Sequence, residues 1–87
     1  MEERMARNTN PLSKRDQMRI RNNIESLRHR QEMTRQQLAY HAGITEKFLS
    51  RIINGQQLPS LPNAFAITHA LGVSDIGRVF ICELDLK

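Results

Sequence analysis

The chain contains few of the residues that cross-link a fold or build an aromatic core. Its 87 residues include one cysteine, no tryptophan, one tyrosine and three phenylalanines. A single cysteine, Cys82, excludes an internal disulfide and a cysteine-rich zinc site, and we expect it to be a small buried apolar residue. The core must be mostly aliphatic, and the length allows one small domain without a separate sensor or catalytic domain.

Long apolar runs and catalytic motifs are also missing. No stretch approaches the roughly 18 apolar residues of a membrane helix, and residues 1–16 lack the apolar segment of a signal peptide. There is no glycine-rich phosphate loop and no GxSxG element. The three histidines show no metal-ligand spacing with the cysteine or with carboxylates: His29, His41 and His69. We therefore expect a cytosolic protein that is not an enzyme and has no metal, cofactor or small-molecule ligand.

Positive charge is concentrated in the first part of the chain. Residues 1–35 contain nine Lys or Arg and five acidic residues, whereas residues 36–87 contain four of each, so the net charge of +4 lies in the first segment. A basic stripe of this kind indicates a polyanionic partner. A solvated helix face explains it equally well at this point.

The N-terminal third predicts an arm followed by a helix. Residues 1–12 are polar and aperiodic, which predicts a flexible basic arm. Ser13, with Asp16 three residues later, fits an N-cap, and the helix should end near Arg30. Its buried face recurs at i, i+4 and i+7: Ile20, Ile24 and Leu27.

A second helix is predicted over residues 35–42. Thr34 and Gln37 form a capping box at its start. Leu38, Ala39 and Ala42 lie on its inner side, where two alanines permit a close helix crossing. Gly43 can adopt the positive φ of a sharp turn, and Ile44 fills the gap between this helix and the next.

The third predicted helix starts at the cap Thr45 and ends near Asn54. At about 100° per residue its apolar side chains gather on one side: Phe48, Leu49, Ile52 and Ile53. Its polar side chains gather on the other: Glu46, Lys47, Ser50, Arg51 and Asn54. The second and third helices should therefore cross at a steep angle, with one polar face turned outward.

The remaining elements complete an all-α fold of about five helices. Ser60 caps a fourth helix that ends at Gly72, and Ser74 caps a short fifth helix to about Phe80. The apolar positions of the fourth helix are Leu61, Phe65, Ile67, Ala70 and Leu71. We assign residues 13–80 to one domain, and residues 81–87 to a C-terminal tail whose alternation can form one strand.

This pattern resembles the helix-turn-helix unit of phage lambda-type repressors and Cro proteins. The matching residues have the spacing of that motif: Leu38, Ala39, Ala42, Gly43, Ile44, Leu49 and Ile52. The flanking stretches "IESLRHRQEMTRQQLA", "NGQQLPS" and "LPNAFAITHALGVS" extend the likeness over about residues 18–80. The resemblance implies a lambda-repressor-like fold. Arg35, Phe48 and Ile53 differ from the residues that are usual in the family at these positions. These differences are compatible with the fold, but they leave the DNA target sequence and the dimer geometry open.

The resemblance also implies a base-reading helix. The third helix would enter the major groove of double-stranded DNA, with the reading positions Thr45, Glu46, Lys47, Ser50 and Arg51. Their chemistry agrees, since Arg and Lys donate to guanine O6 and N7 and Glu accepts from cytosine N4. Outside such a motif, these residues would be read as ordinary exposed helix residues.

Further residues are expected to hold DNA phosphates. The start of the second helix offers backbone N–H groups that favour an anion. The expected phosphate contacts are Arg35, Gln36, Asn54, Gln56, Arg19 and Arg21. For the two arginines of the first helix, a solvated face is an equal alternative.

One helix-turn-helix unit reads only a few base pairs, so we expect a homodimer that reads two half-sites. The expected dimer surface is apolar: Ile76, Val79, Phe80, Ile81, Leu84 and Leu86. A strand of residues 81–86 could pair across the dimer. Alternatively, these residues fold back onto the core of their own chain.

The sequence thus indicates a Cro-like transcriptional repressor that acts in the cytoplasm of a bacterial cell or a phage-infected host. An excision or architectural factor, or a restriction-system controller, would share the same fold. An antitoxin-like protein whose tail "VFICELDLK" binds a partner protein is the alternative from a different class.

Overall fold

The computed structural model describes residues 17–85, which form four α-helices and a two-stranded sheet. The elements, in chain order, are β1 (Gln17–Asn22), α1 (Ile24–Arg30), α2 (Arg35–Ala42), α3 (Glu46–Ile53), α4 (Leu61–Ala70), a 3-10 turn (Ile76–Arg78) and β2 (Phe80–Asp85). This is the mostly helical helix-turn-helix fold that the sequence predicts, with a small sheet added. Within residues 17–85, no helix combines the length and hydropathy needed to cross a membrane.

The core is aliphatic and is shared by all four helices and the turn before β2. The side chains that are most completely buried are Ile24, Leu38, Leu49, Ile67, Leu71 and Val79. The predicted inner faces of α2 and α3 are both confirmed, since Ala39, Ala42 and Ile52 are buried as well. Thr68, on α4, is buried with its hydroxyl donating to the Ala64 carbonyl at 2.8 Å.

Side-chain caps fix the starts of three helices where the sequence places them. Thr34 Oγ1 accepts from the Gln37 backbone N–H at 3.0 Å, and Gln37 Oε1 accepts from the Thr34 N–H at 2.8 Å. Thr45 caps α3 by accepting from the Phe48 N–H at 3.0 Å, and Ser60 caps α4 in the same way. Each cap satisfies a backbone donor that the helix itself leaves unpaired.

The prediction of a first helix beginning at Ser13 is wrong over residues 17–22, which form β1. This strand pairs antiparallel with β2. Asn22 ends it, because its Oδ1 accepts from the Ile24 N–H at 3.2 Å as α1 begins. Ile20 lies opposite Cys82 in the sheet, so only Ile24 and Leu27 belong to the buried helical face. Ser13 itself lies outside the described residues.

The C-terminal part also differs from the expectation. A single 3-10 turn replaces the fifth helix, and its cap is Asp75, whose Oδ1 accepts from the Gly77 N–H at 2.8 Å. β2 pairs within its own chain, and Cys82 is exposed in it, not buried as expected. The Val79 carbonyl accepts from the Asn23 N–H at 2.8 Å, which ties the start of β2 to the start of α1.

Two members of the predicted apolar face of α4 point away from the core. Leu61 is 66% exposed and Phe65 is 52% exposed. Leu61 and Leu58, which is 64% exposed, line a groove of about 240 Å³, and Phe65 follows the lining residue Ala64 on α4. The other residues that line the groove are Ile20, Pro59, Ile76 and Phe80. We call the exposed side chains and the groove together the apolar patch.

Candidate nucleic-acid interface

The turn between α2 and α3 sets the angle of the two helices. Gly43 has φ +75°, and the Ile44 N–H donates to the Ala39 carbonyl at 3.0 Å, which closes the end of α2. A left-handed residue at this point lets the chain reverse within two residues before the cap of α3. Ile44 is partly buried and packs against the core.

The outer face of α3 is polar and exposed. Leu49 and Ile52 anchor the opposite face in the core, being 0% and 2% exposed. The residues predicted to read bases therefore lie on the solvent side: Thr45, Glu46, Lys47 and Arg51 are exposed, and Ser50 is half-buried. At about 100° per residue Glu46, Lys47, Ser50 and Arg51 share one side of α3, and Thr45 lies at the N-terminus of the helix as its cap.

Ser50 is held by a residue of another helix. Arg35, the first residue of α2, donates from Nη1 to Ser50 Oγ at 3.1 Å. The same guanidinium donates from Nε to Glu25 Oε2, on α1, at 3.1 Å. Arg35 therefore bridges three helices at the edge of the polar face.

Glu25 is fixed in turn by a second arginine. Arg28 donates to Glu25 from Nη2 at 2.6 Å and from Nε at 3.1 Å, and to the Met33 carbonyl from Nη1 at 2.7 Å. Hydrogen bonding from Arg28, the largest cause, lowers the pKa of Glu25, whereas partial burial opposes the shift and Arg35 reinforces it. The carboxylate is thus kept ionised between two guanidinium groups.

Sequence reasoning missed Glu25 and Arg28 as parts of this site. Their i, i+3 spacing on a helix is a local signal of an ion pair and could have been used. The bridge from Glu25 to Arg35 has no such signal, because it joins separate helices whose relative placement depends on the tertiary packing.

The predicted phosphate contacts fall into two groups. Arg35, Gln36, Asn54 and Gln56 lie at the start of α2 and just beyond the end of α3, on the helix-turn-helix unit itself. Arg19 and Arg21 lie on β1 and not on a helix, and Arg21 pairs with Glu83 of β2 at 3.1 Å. The end of β1 still adjoins α3, since Asn22 Nδ2 donates to the Ile52 carbonyl at 3.1 Å.

Comparison with known proteins identifies this arrangement. A helix-turn-helix family model, of the lambda repressor/Cro-like type, matches residues 24–75, which is more than half of the chain. The match runs from the first residue of α1 to the residue before the 3-10 turn, and it includes the whole α2–α3 unit. No curated protein matches the chain. The family consists of DNA-binding domains, and the chain belongs to it: it is a DNA-binding protein of the lambda repressor/Cro-like helix-turn-helix type.

Proposed function

We propose that the chain is a sequence-specific transcriptional repressor, similar to Cro, that binds an operator in double-stranded DNA as a homodimer. The observation that carries this proposal is the exposed polar face of α3, held outward by Leu49 and Ile52 in the core. An α-helix fits the major groove, where each base pair presents a distinct pattern of donors and acceptors. A face with donors and acceptors can read that pattern.

The exposed side chains of α3 divide into complementary roles. Arg51 and Lys47 donate to guanine O6 and N7, and the planar guanidinium can do so with two parallel bonds. Glu46 accepts from cytosine N4 and repels phosphate when the helix is out of register. Because α3 carries both donor and acceptor side chains that contact bases, it should bind one DNA sequence more tightly than others. This preference adds to the non-specific electrostatic attraction to DNA.

Arg35 is the main phosphate contact in this proposal. Its Nε donates to Glu25 and its Nη1 to Ser50, which uses two of the five guanidinium N–H groups and leaves three for a phosphate. Its side chain is 32% exposed, so it reaches solvent at the start of α2. The first backbone N–H groups of the same helix favour a phosphate there.

The apolar patch is the proposed dimer surface. In a twofold dimer the same surface of both copies forms the interface, so that surface must be complementary to itself. Exposed side chains beside a groove can meet this requirement, because the side chains of one copy can enter the groove of the other. Leu58, Leu61 and Phe65 are exposed, and the first two line a groove that includes Ile76 and Phe80, two residues of the expected dimer surface. Val79 is 0% exposed in its own chain and has no surface to offer a second copy. Ile81 is half-buried, the side chain of Leu84 and all of Leu86 lie outside the described part of the chain, and we leave these three out of the patch.

The test is selection of bound duplexes from a random DNA library at near-physiological salt. We expect an inverted repeat whose half-sites lie about 10 bp, or roughly 34 Å, apart. The variant Lys47→Ala/Arg51→Ala, which alters only exposed side chains, is the matched control and should lose the enrichment while keeping the fold.

Other outcomes would redirect the proposal. Direct repeats would favour an excision or architectural factor, and enrichment of no sequence would contradict sequence-specific repression. In the latter case, capture of a partner protein through "VFICELDLK" becomes the leading alternative, as in an antitoxin.

A further inference from the structure

Two base-reading candidates use hydrogen-bonding capacity inside the protein: Thr45 accepts from the Phe48 N–H as the cap of α3, and Ser50 accepts from a charged side chain of another helix. A serine hydroxyl has one proton to donate and lone pairs to accept. Arg35 Nη1 donates to Ser50 Oγ at 3.1 Å, so a lone pair of that oxygen is occupied by a cation. The Ser50 hydroxyl is therefore available to DNA mainly as a hydrogen-bond donor.

The proton has no acceptor on its own helix. A serine or threonine within a helix often donates to the carbonyl four residues earlier, as Thr68 does to Ala64 at 2.8 Å. Among residues 17–85, Ser50 makes no hydrogen bond of this kind. The hydroxyl is therefore free to donate away from α3.

Glu25 determines where the guanidinium sits. It accepts from Arg35 Nε at 3.1 Å and is itself held by two bonds from Arg28, whose side chain is only 13% exposed. A guanidinium has five N–H donors in a rigid plane, so fixing Nε fixes the direction of Nη1. Glu25 thus aims Arg35 at Ser50 from a different helix.

We propose that Glu25 is a positioning residue which, through Arg35, presents Ser50 to DNA as a hydrogen-bond donor, so that Ser50 selects a base with a major-groove acceptor and rejects cytosine. This inference rests on the proposed reading of DNA by α3. Guanine, adenine and thymine each present an acceptor in the major groove, whereas cytosine presents only its N4 donor there. A hydroxyl that accepts from a cation is also a stronger donor, because hydrogen bonds in a chain polarise one another.

The arrangement predicts two separable effects of Glu25. It orients Ser50 through Arg35, which supports discrimination at one base position. It also offsets the charge of Arg35, which weakens attraction to phosphate in general. A purely structural residue would lower binding to all DNA, whereas Glu25 should affect selective and general binding in opposite directions.

The experiment measures the affinity of the full chain for the selected duplex and for duplexes with single changes in a half-site. Ser50→Ala should flatten the preference at one position, where the wild-type chain loses about three- to tenfold in affinity on a change to cytosine. Ser50→Thr keeps the hydroxyl and should retain that preference. Glu25→Gln should reduce the preference at the same position, without loss of affinity for random DNA, and should have no further effect on it in a Ser50→Ala background.

Several results would overturn the inference. Unchanged preference at every position in Ser50→Ala would remove Ser50 as a reader, and equal loss on selected and random DNA in Glu25→Gln would make Glu25 merely structural. If Glu25→Gln does not fold, as checked by thermal melting, the Ser50→Ala and Ser50→Thr pair still decides whether Ser50 donates to a base. A wild-type chain that selects no sequence would instead overturn the proposed function, and the inference with it.

Discussion

At the scale of single residues, Arg51 offers the most direct test of base reading. It is exposed near the end of α3, with no role in the core. We expect Arg51→Ala to cost about 1–3 kcal/mol of binding free energy on the selected operator and to relax the preference at one position per half-site. Equilibrium binding to the operator and to singly altered duplexes measures both. Arg78→Ala, which removes an exposed arginine of the 3-10 turn, is the matched control and should leave the preference intact.

Arg35 should behave differently from Arg51, because it is expected to bind phosphate. Arg35→Ala should weaken binding to every sequence and reduce the slope of log affinity against log salt by about 0.9 for each phosphate that the variant no longer neutralises. Because it also removes the donor to Ser50, it should in addition reduce the preference at the base position that Ser50 reads. Titrations at several salt concentrations give the slope. An unchanged slope would place Arg35 outside the interface, and Arg30→Ala, on the exposed side of α1, gives the comparison for removal of one positive charge.

The carboxylate of Glu25 should make the stability of the fold depend on acid pH. Arg28 and Arg35 lower its pKa, and His29 Nε2 lies 3.8 Å away. A pKa that is lower in the folded state means that the ionised carboxylate stabilises the fold above the unfolded value of about 4.3. That contribution is lost as the pH falls through the lower, folded value.

We therefore expect Glu25→Gln to lower the thermal midpoint at neutral pH, and the difference from the wild-type chain to shrink as the pH falls below about 4.3 and through the lower, folded value. Melting curves of both proteins across that range measure the difference. The exposed Glu32 provides the control, since Glu32→Gln should lower the thermal midpoint at neutral pH by less than Glu25→Gln does. A difference that stays constant with pH would show that Glu25 stabilises the fold by means other than its charge.

At the scale of elements, the turn at Gly43 is the joint on which the DNA-reading face depends. Its φ of +75° lies in the left-handed region, and an added Cβ would meet no atom within 4 Å. Gly43→Ala should therefore cost only backbone strain, about 1–2 kcal/mol of folding free energy. Chemical denaturation measures it, and Gly43→Asn should cost less because asparagine tolerates this conformation. Equal costs for both would show that steric contact, not φ, limits the position.

The elements that the sequence predicts well are those whose signals are local. The caps Thr34, Thr45 and Ser60 and the glycine at 43 each act on the adjacent turn, and the structure confirms all four. The bounds of α2 and α3 follow, and with them the exposed face of α3. The site residues on that face could thus be placed, although their contacts with DNA stay predictions.

The elements that were predicted wrongly depend on a distant partner. The spacing of apolar residues that starts at Ile20 is typical of a helix, but residues 17–22 form a strand because they pair with β2 near the other end of the chain. The 3-10 turn is short because Val79 must be buried and its carbonyl must reach Asn23 at 2.8 Å. The Arg35 bridge has the same origin, since neither Glu25 nor Ser50 is its neighbour in sequence.

At the scale of the whole molecule, the apolar patch predicts self-association. Exposed patches that combine large apolar side chains with a groove mark interaction surfaces. We expect Leu61→Glu to weaken the dimer, because a charge would be buried against the apolar groove of the second copy. Analytical ultracentrifugation over a range of concentrations measures the effect.

Tyr40 supplies the matched control for that measurement. It is 81% exposed on α2, outside the patch, so Tyr40→Glu adds the same charge without touching the groove. We expect this variant to associate as the wild-type chain does. A wild-type chain that stays monomeric at high micromolar concentration would contradict the dimer, and equal weakening by both variants would contradict the patch as its location.

The sheet formed by β1 and β2 should unfold locally more readily than the helical core. Helices α1 to α4 are built from local hydrogen bonds, but the sheet joins the two ends of the described chain and must close the whole intervening segment. Amide hydrogens of Arg21 and Ile81 should therefore exchange with solvent through local separation of the strands. Those of Leu38 and Leu49 should exchange only through global unfolding. During synthesis on the ribosome, the DNA-reading helices would likewise be complete before the strand that closes the fold has been made.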